Sequence, residues 1–215
     1  TVLVILVIVT LLGTIAVKMG IVGLKIATNS QVNALLLKNS DSALFNIENP
    51  AEVERQLALD GMFAYFNSAA NADDELVFCY RAAQNAFYDF SKASAIAADG
   101  TTTKIGVDGF CKANQFAMGR SAVLSQVYLT KNATTSTPFA GVPKGTSLGQ
   151  SNVPVTMHNI GATVISVLPS FAGATTTQIE NCFKQRASAV GACFDGLGIP
   201  YNMQHSDYTV GCHPK

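Results

Sequence analysis

The chain has 215 residues with 14 Lys and Arg against 14 Asp and Glu, so its formal charge is zero and only 13% of positions are charged, where a soluble domain averages about 25%. With 48% hydrophobic residues and a mean hydropathy of +0.27, it is not a disordered chain, which requires low hydrophobicity and high net charge. Its length suits one domain or one domain plus an extension, and its neutrality argues against dedicated nucleic-acid binding, which draws its affinity from Lys and Arg neutralising phosphates.

The hydrophobicity is concentrated at the start. Thr1 to Val17 contains no charge and no proline, and 13 of its 17 residues are Val, Leu, Ile or Ala. Val2, Leu3, Val4, Ile5, Leu6, Val7, Ile8 and Val9 are apolar all round a helix, and Leu11 and Leu12 extend the run. After Lys18 the run resumes to Leu24, giving a helix about 36 Å long with one snorkelling lysine, enough to cross a bilayer. A secretory signal peptide has a basic flank before its apolar stretch, which this run lacks. A core helix is disfavoured because one domain of this size rarely encloses a helix that is apolar all round.

From Ile26 to Phe45 the pattern becomes one-sided. Ile26, Val32, Leu35, Leu36, Ala43 and Leu44 alternate with Asn29, Asn33, Asn39, Ser40 and Asp41, the periodicity of an amphipathic helix. No Pro or Gly falls between Leu24 and Glu48, so one helix of about 45 residues is expected, ended by Pro50. Asn49-Pro50-Ala51-Glu52 then reads as the start of another helix. Gly13, Gly20 and Gly23 each cost the first helix about 1 kcal/mol relative to Ala. They are expected to serve close packing, or local unwinding, when chains assemble.

Beyond residue 50 a separate globular domain is expected, helical at first over Glu52 to Phe66. Strands are expected at Glu75 to Arg81, Ser121 to Thr130 and Thr156 to Leu168, and helices at Gln84 to Ala98 and Thr177 to Ser188. The fold class is therefore α+β: a long N-terminal helix, apolar then amphipathic, packed on a C-terminal domain with an antiparallel sheet. Lys131 to Val153, rich in Thr, Ser, Gly and Pro, reads as a long loop and a candidate subunit contact or recognition surface.

The stretch TVLVILVIVTLLGTIAVKMGIVGLKIATNSQ followed by VNALLLKNSDSALFNIENP resembles the type IV pilin-like proteins, with the minor pilins of the PilX type the nearest group. The resemblance covers about the first 50 residues. It implies that a peptidase removes a short leader to leave Thr1 as the processed N-terminus. It also implies that residues 1–50 anchor in the inner membrane before entering the core of an extracellular filament, and that residues 51–215 form the outer domain. The implied partners are copies of the chain, other pilins and the assembly machinery of the inner membrane. Many pilins begin with a methylated Phe and carry Glu at the fifth position; this chain has Thr1 and Ile5, a departure that points to the PilX-like group. Two other readings stay open: a minor or tip subunit promoting assembly or adhesion, and a bitopic membrane protein whose outer domain binds without polymerising.

Outside the cytoplasm the five cysteines are expected to form disulfides. Cys79 with Cys111 and Cys193 with Cys212 is the favoured pairing, with Cys182 left over. No C-x-x-C occurs and neither His158, His205 nor His213 fits a zinc pattern, so no metal or cofactor is expected. Gly145-Thr146-Ser147-Leu148-Gly149 matches G-x-S-x-G but has loop-like flanks where a nucleophile elbow needs a strand and a helix. Asp73-Asp74-Glu75 reads as a solvated acidic turn, and Asn132-Ala133-Thr134 as a glycosylation sequon of the kind that arises by chance. No catalytic chemistry is expected.

Overall fold

The computed structural model describes residues 27–56, 61–84, 88–118, 122–132, 158–171 and 173–210. The chain divides into two compact units, Thr1–Leu35 and Leu36–Lys215. Helix α1 (residues 27–47) is the described part of the long helix expected from the sequence. The expectations for Thr1, Val2 to Val9, Leu11, Leu12, Gly13, Gly20 and Gly23 lie outside the described residues. Among the described residues no helix is long and apolar enough to cross a membrane.

The second unit is α+β. It contains α2 (Pro50–Gln56), β1 (Glu75–Tyr80), β2 (Ser94–Ile96), β3 (Leu124–Lys131), β4 (His158–Val167), α3 (Thr176–Phe183), α4 (Ala187–Leu197) and β5 (Tyr201–Val210), with short 3-10 turns between them. Pro50 opens α2, where its missing N–H costs nothing, and the Asn49 carbonyl accepts from Glu52 and Val53. The five strands form one antiparallel sheet in the order β2-β1-β3-β4-β5.

Each strand alternates its side chains between two faces, and each face carries its own core. On one face Leu76, Phe78, Tyr80, Val127, Leu129, Ile160, Ala162 and Val164 pack with Ala43 and Ile47 of α1 and with Met62, Phe63 and Phe66 of the 3-10 turn Met62–Asn67. On the other, Val77, Leu124, Tyr128, Ile165 and Val167 pack with Ile179 and Phe183 of α3 and Val190 and Phe194 of α4. Covering both faces explains why β1 reads as a nearly continuous apolar run.

Two expected helices are corrected, and one strand is added. Gln84 to Ala98 is not a helix: among its described residues, Phe90–Lys92 forms a 3-10 turn capped by Asp89, and Ser94–Ile96 is β2. The Ala93 to Ala97 segment is buried, and Ser94 stands opposite Val77 in the ladder. Gly109 backs closely onto this pair, where only a glycine fits, because a Cβ there would lie 2.2 Å from the Val77 carbonyl oxygen and 2.4 Å from the Ser94 nitrogen. The expected helix over Thr177 to Ser188 divides into α3 and α4. Thr175 and Gln178 form a capping box at the start of α3, the chain turns after Phe183, and α4 runs to Gly198 in the left-handed region. Finally, β5 was not expected at all.

Candidate functional site

Three side-chain constellations organise the second unit. The first is a polar seam between α1 and the sheet. Ser40 donates to Ser166 at 2.8 Å, and Ser166 shares a 2.7 Å bond with Ser125. Ser42 meets the Tyr80 hydroxyl at 2.7 Å, and Tyr88 donates to the Ala43 carbonyl. Asn39 and Ser40, expected among the polar positions of the helix, are buried, and the Ser40 hydroxyl is satisfied by Ser166 across the seam. The outward side of the same turns exposes Leu37 (43%) and Phe45 (76%). Large apolar side chains left open on a helix are the kind of surface that protein contacts cover.

The second constellation braces the opposite face. Cys79 is bridged to Cys111, as expected, across a Cα–Cα distance of 4.8 Å. Cys193 is bridged to Cys182, not to Cys212, with Cα atoms 5.6 Å apart; Cys212 lies outside the described residues. The correction follows from the turn between α3 and α4, which folds the two helices against each other. Gln126, in the middle of β3, joins the two bridged regions. Its Oε1 accepts from the Cys111 N–H at 2.8 Å, and its Nε2 donates to the Phe183 carbonyl at 2.7 Å and to the Tyr128 hydroxyl at 2.6 Å.

The third is ionic. Asp73-Asp74-Glu75 is not a solvated acidic turn, since Asp74 and Glu75 are buried. Asp74 is paired with Lys104 at 2.7 Å and accepts from the Tyr65 hydroxyl at 2.6 Å. Glu75 pairs with Arg186 at 3.2 Å and accepts from the Ala187 N–H at the start of α4. Arg186 also donates to the Ala97 and Asp73 carbonyls, so one guanidinium ties β1, the end of β2 and α4 together. Arg186→Ala is expected to cost about 2 kcal/mol, less than the ~3–5 kcal/mol of a fully buried pair because the arginine is partly exposed. Arg186→Lys should recover only part of this, since an ammonium lacks the fork needed for three acceptors. A denaturation midpoint unchanged in Arg186→Ala would refute the assignment.

Burial raises the phenols of Tyr88 and Tyr128 well above the ordinary value of 10.0. Tyr65 is raised by burial first and by its bond to Asp74 second. In the unfolded chain these groups ionise near 10, so the stability they carry is fully present below that pH and declines above it. Alkaline titration should show their phenolate absorbance rising together with the loss of folded circular dichroism. Ionisation of all six tyrosines near pH 10 with the fold intact would contradict this.

On the solvent-open end of the sheet, Thr163 meets His205 Nδ1 at 2.9 Å, His205 Nε2 meets Asp207 at 3.1 Å, and Asn132 donates to the same Asp207 oxygen. His205 is thus a polar surface residue of β5. Among the described residues no three His, Cys, Asp or Glu side chains group as metal ligands. His158 is described only as the first residue of β4; Ser147, most of the Lys131 to Val153 loop, the remainder of the Asn132 sequon and His213 lie outside the described residues. Sequence reasoning missed Gln126, Ser125 and Ser166; the one signal was a pair of polar residues interrupting the apolar run Val123-Leu124-Ser125-Gln126-Val127.

No family model matches this chain, and neither a curated protein nor a solved structure matches it.

Proposed function

We propose that this chain is a structural subunit of an extracellular filament of the type IV pilus kind, with the N-terminal helix in the polymer core and the α+β unit outside. The observation that carries the reading is the uncharged run Thr1 to Val17, continuing through one snorkelling lysine into a helical stretch that is amphipathic. A helix of that composition needs either lipid or the apolar helices of neighbouring chains around it. Support comes also from exposed Leu37 and Phe45 on α1 and from a two-bridge unit suited to an oxidising exterior. Its surface polarity rests on Thr, Ser, Asn and Gln more than on charge, which limits like-charge repulsion between copies.

On this reading the chain sits in the inner membrane before assembly and works with other pilins and the assembly machinery. It carries no catalytic role, metal or cofactor. The resemblance of residues 1–50 to the PilX-type group favours a second reading as a minor or tip subunit. Sheared surface material from the producing cells tests the proposal. The chain is expected there in regular helical arrays; recovery confined to the inner-membrane fraction would overturn the filament in favour of a bitopic module. Sparse labelling at filament ends would select the tip subunit.

A further inference from the structure

We propose that the outer edge of β5 pairs with β5 of a second copy of this chain, antiparallel, about a two-fold axis through Ser206. β5 is the last strand of the sheet, and among the described residues no strand lies on its outer side. Its backbone direction can be read from one bond. Leu168 N donates to the Pro200 carbonyl, and the register Val167↔Tyr201 places those two residues opposite each other. Facing pairs alternate between hydrogen-bonded and non-bonded in an antiparallel ladder. The even-numbered residues of β5 therefore turn their amides toward β4, while Met203, His205, Asp207 and Thr209 turn theirs outward.

Self-pairing must bring outward amides to outward amides, so the two-fold has to pass through a residue rather than between two. Passing through His205 would set imidazole against imidazole, and through Asp207 carboxylate against carboxylate. Through Gln204, each His205 would face Met203. Only Ser206 places each His205 opposite the partner's Asp207, with Met203 opposite the partner's Thr209, and every one of these pairs can exchange both backbone hydrogen bonds. His205 and Asp207 are about half and two-thirds exposed and stand on one face. A lone charge on an edge strand deters pairing; an imidazole and a carboxylate two residues apart, able to hydrogen-bond across the two-fold, favour one register over its neighbours. A two-fold contact closes on itself, so it is separate from helical contacts along a polymer and does not depend on the filament reading.

The test uses the full chain in mild detergent, with Cys212→Ser removing the fifth cysteine. Ser206 faces its own copy at a non-bonded pair, where Cα atoms stand about 4.5 Å apart, within disulfide reach. Ser206→Cys is expected to give a covalent dimer as the main product of mild oxidation. Gln204→Cys should not, because the two copies of residue 204 are offset by about 13 Å. Equal or lower yield from Ser206→Cys, with circular dichroism matching the parent, overturns the pairing. Adding His205→Asp to Ser206→Cys should cut the dimer about tenfold by setting carboxylate against carboxylate. The exchanged pair His205→Asp with Asp207→His should restore it. A yield unchanged by His205→Asp overturns the proposal as well.

Discussion

Replacing Cys79 and Cys111 together by serine is expected to destabilise the second unit by about 4 kcal/mol, and Cys182 and Cys193 together by about 3 kcal/mol, in the chain-entropy account. The order follows from the sequence separations of 32 and 11 residues: a longer closed loop removes more freedom from the unfolded chain. The first bridge also holds the segment after β2 against the sheet, since Cys79 belongs to β1 and Cys111 is fixed by Gln126. Urea denaturation of the oxidised chain against each double variant measures both numbers, and peptide mapping reads the connectivity. A Cys193–Cys212 peptide, or a Cys79/Cys111 variant within about 1 kcal/mol of the parent, would overturn this account.

Gln126→Leu is expected to cost about 3 kcal/mol although it makes the interior more apolar. The leucine has nearly the same reach, but it leaves the Cys111 N–H without its acceptor and the Phe183 carbonyl with one of its two donors, Tyr128 at 3.0 Å. A buried donor left unpaired bears its full desolvation cost. Gln126→Glu keeps an acceptor for Cys111 but loses the amide donor and buries a charge, so it should be no better. Hydrogen exchange at the Cys111 amide distinguishes the mechanism from general loosening. It should accelerate more than the amides of β1, and uniform acceleration throughout the sheet would point to global destabilisation instead.

The parts of the fold that local pattern announces are those whose neighbours in sequence are also their physical causes. Residues 27–47 form a helix because apolar residues recur at helical spacing without Pro or Gly. β1, β3 and β4 carry β-branched and aromatic residues bounded by turns. β5, YNMQHSDYTV, carries no strand signature in its sequence because an edge strand with one neighbour needs little apolar alternation. The Ala93 to Ala97 stretch looked helical because alanine favours helix, yet pairing with β1 and burial outweigh that small preference.

The candidate surfaces are less legible. Neither the exposure of Leu37 and Phe45 nor the burial of Asn39 and Ser40 follows from the pattern along α1, since Ser166, the partner of Ser40, lies far along the chain. The acidic triplet Asp73-Asp74-Glu75 looked solvated, since nothing nearby in sequence announces Arg186 or Lys104 as its partners.

By itself, then, the sequence determined the low charge, the amphipathic course of α1 and the apolar character of three central strands, and it left the cysteine connectivity open. Only the tertiary structure decided that Cys193 meets Cys182, that one expected helix becomes two, that Gln126 joins both bridged regions, and that β5 ends the sheet with His205 and Asp207 at its open edge. The physical reason is range. Propensity and periodicity act over a few residues, while a buried polar group or a cysteine takes its partner from whatever the fold places opposite it.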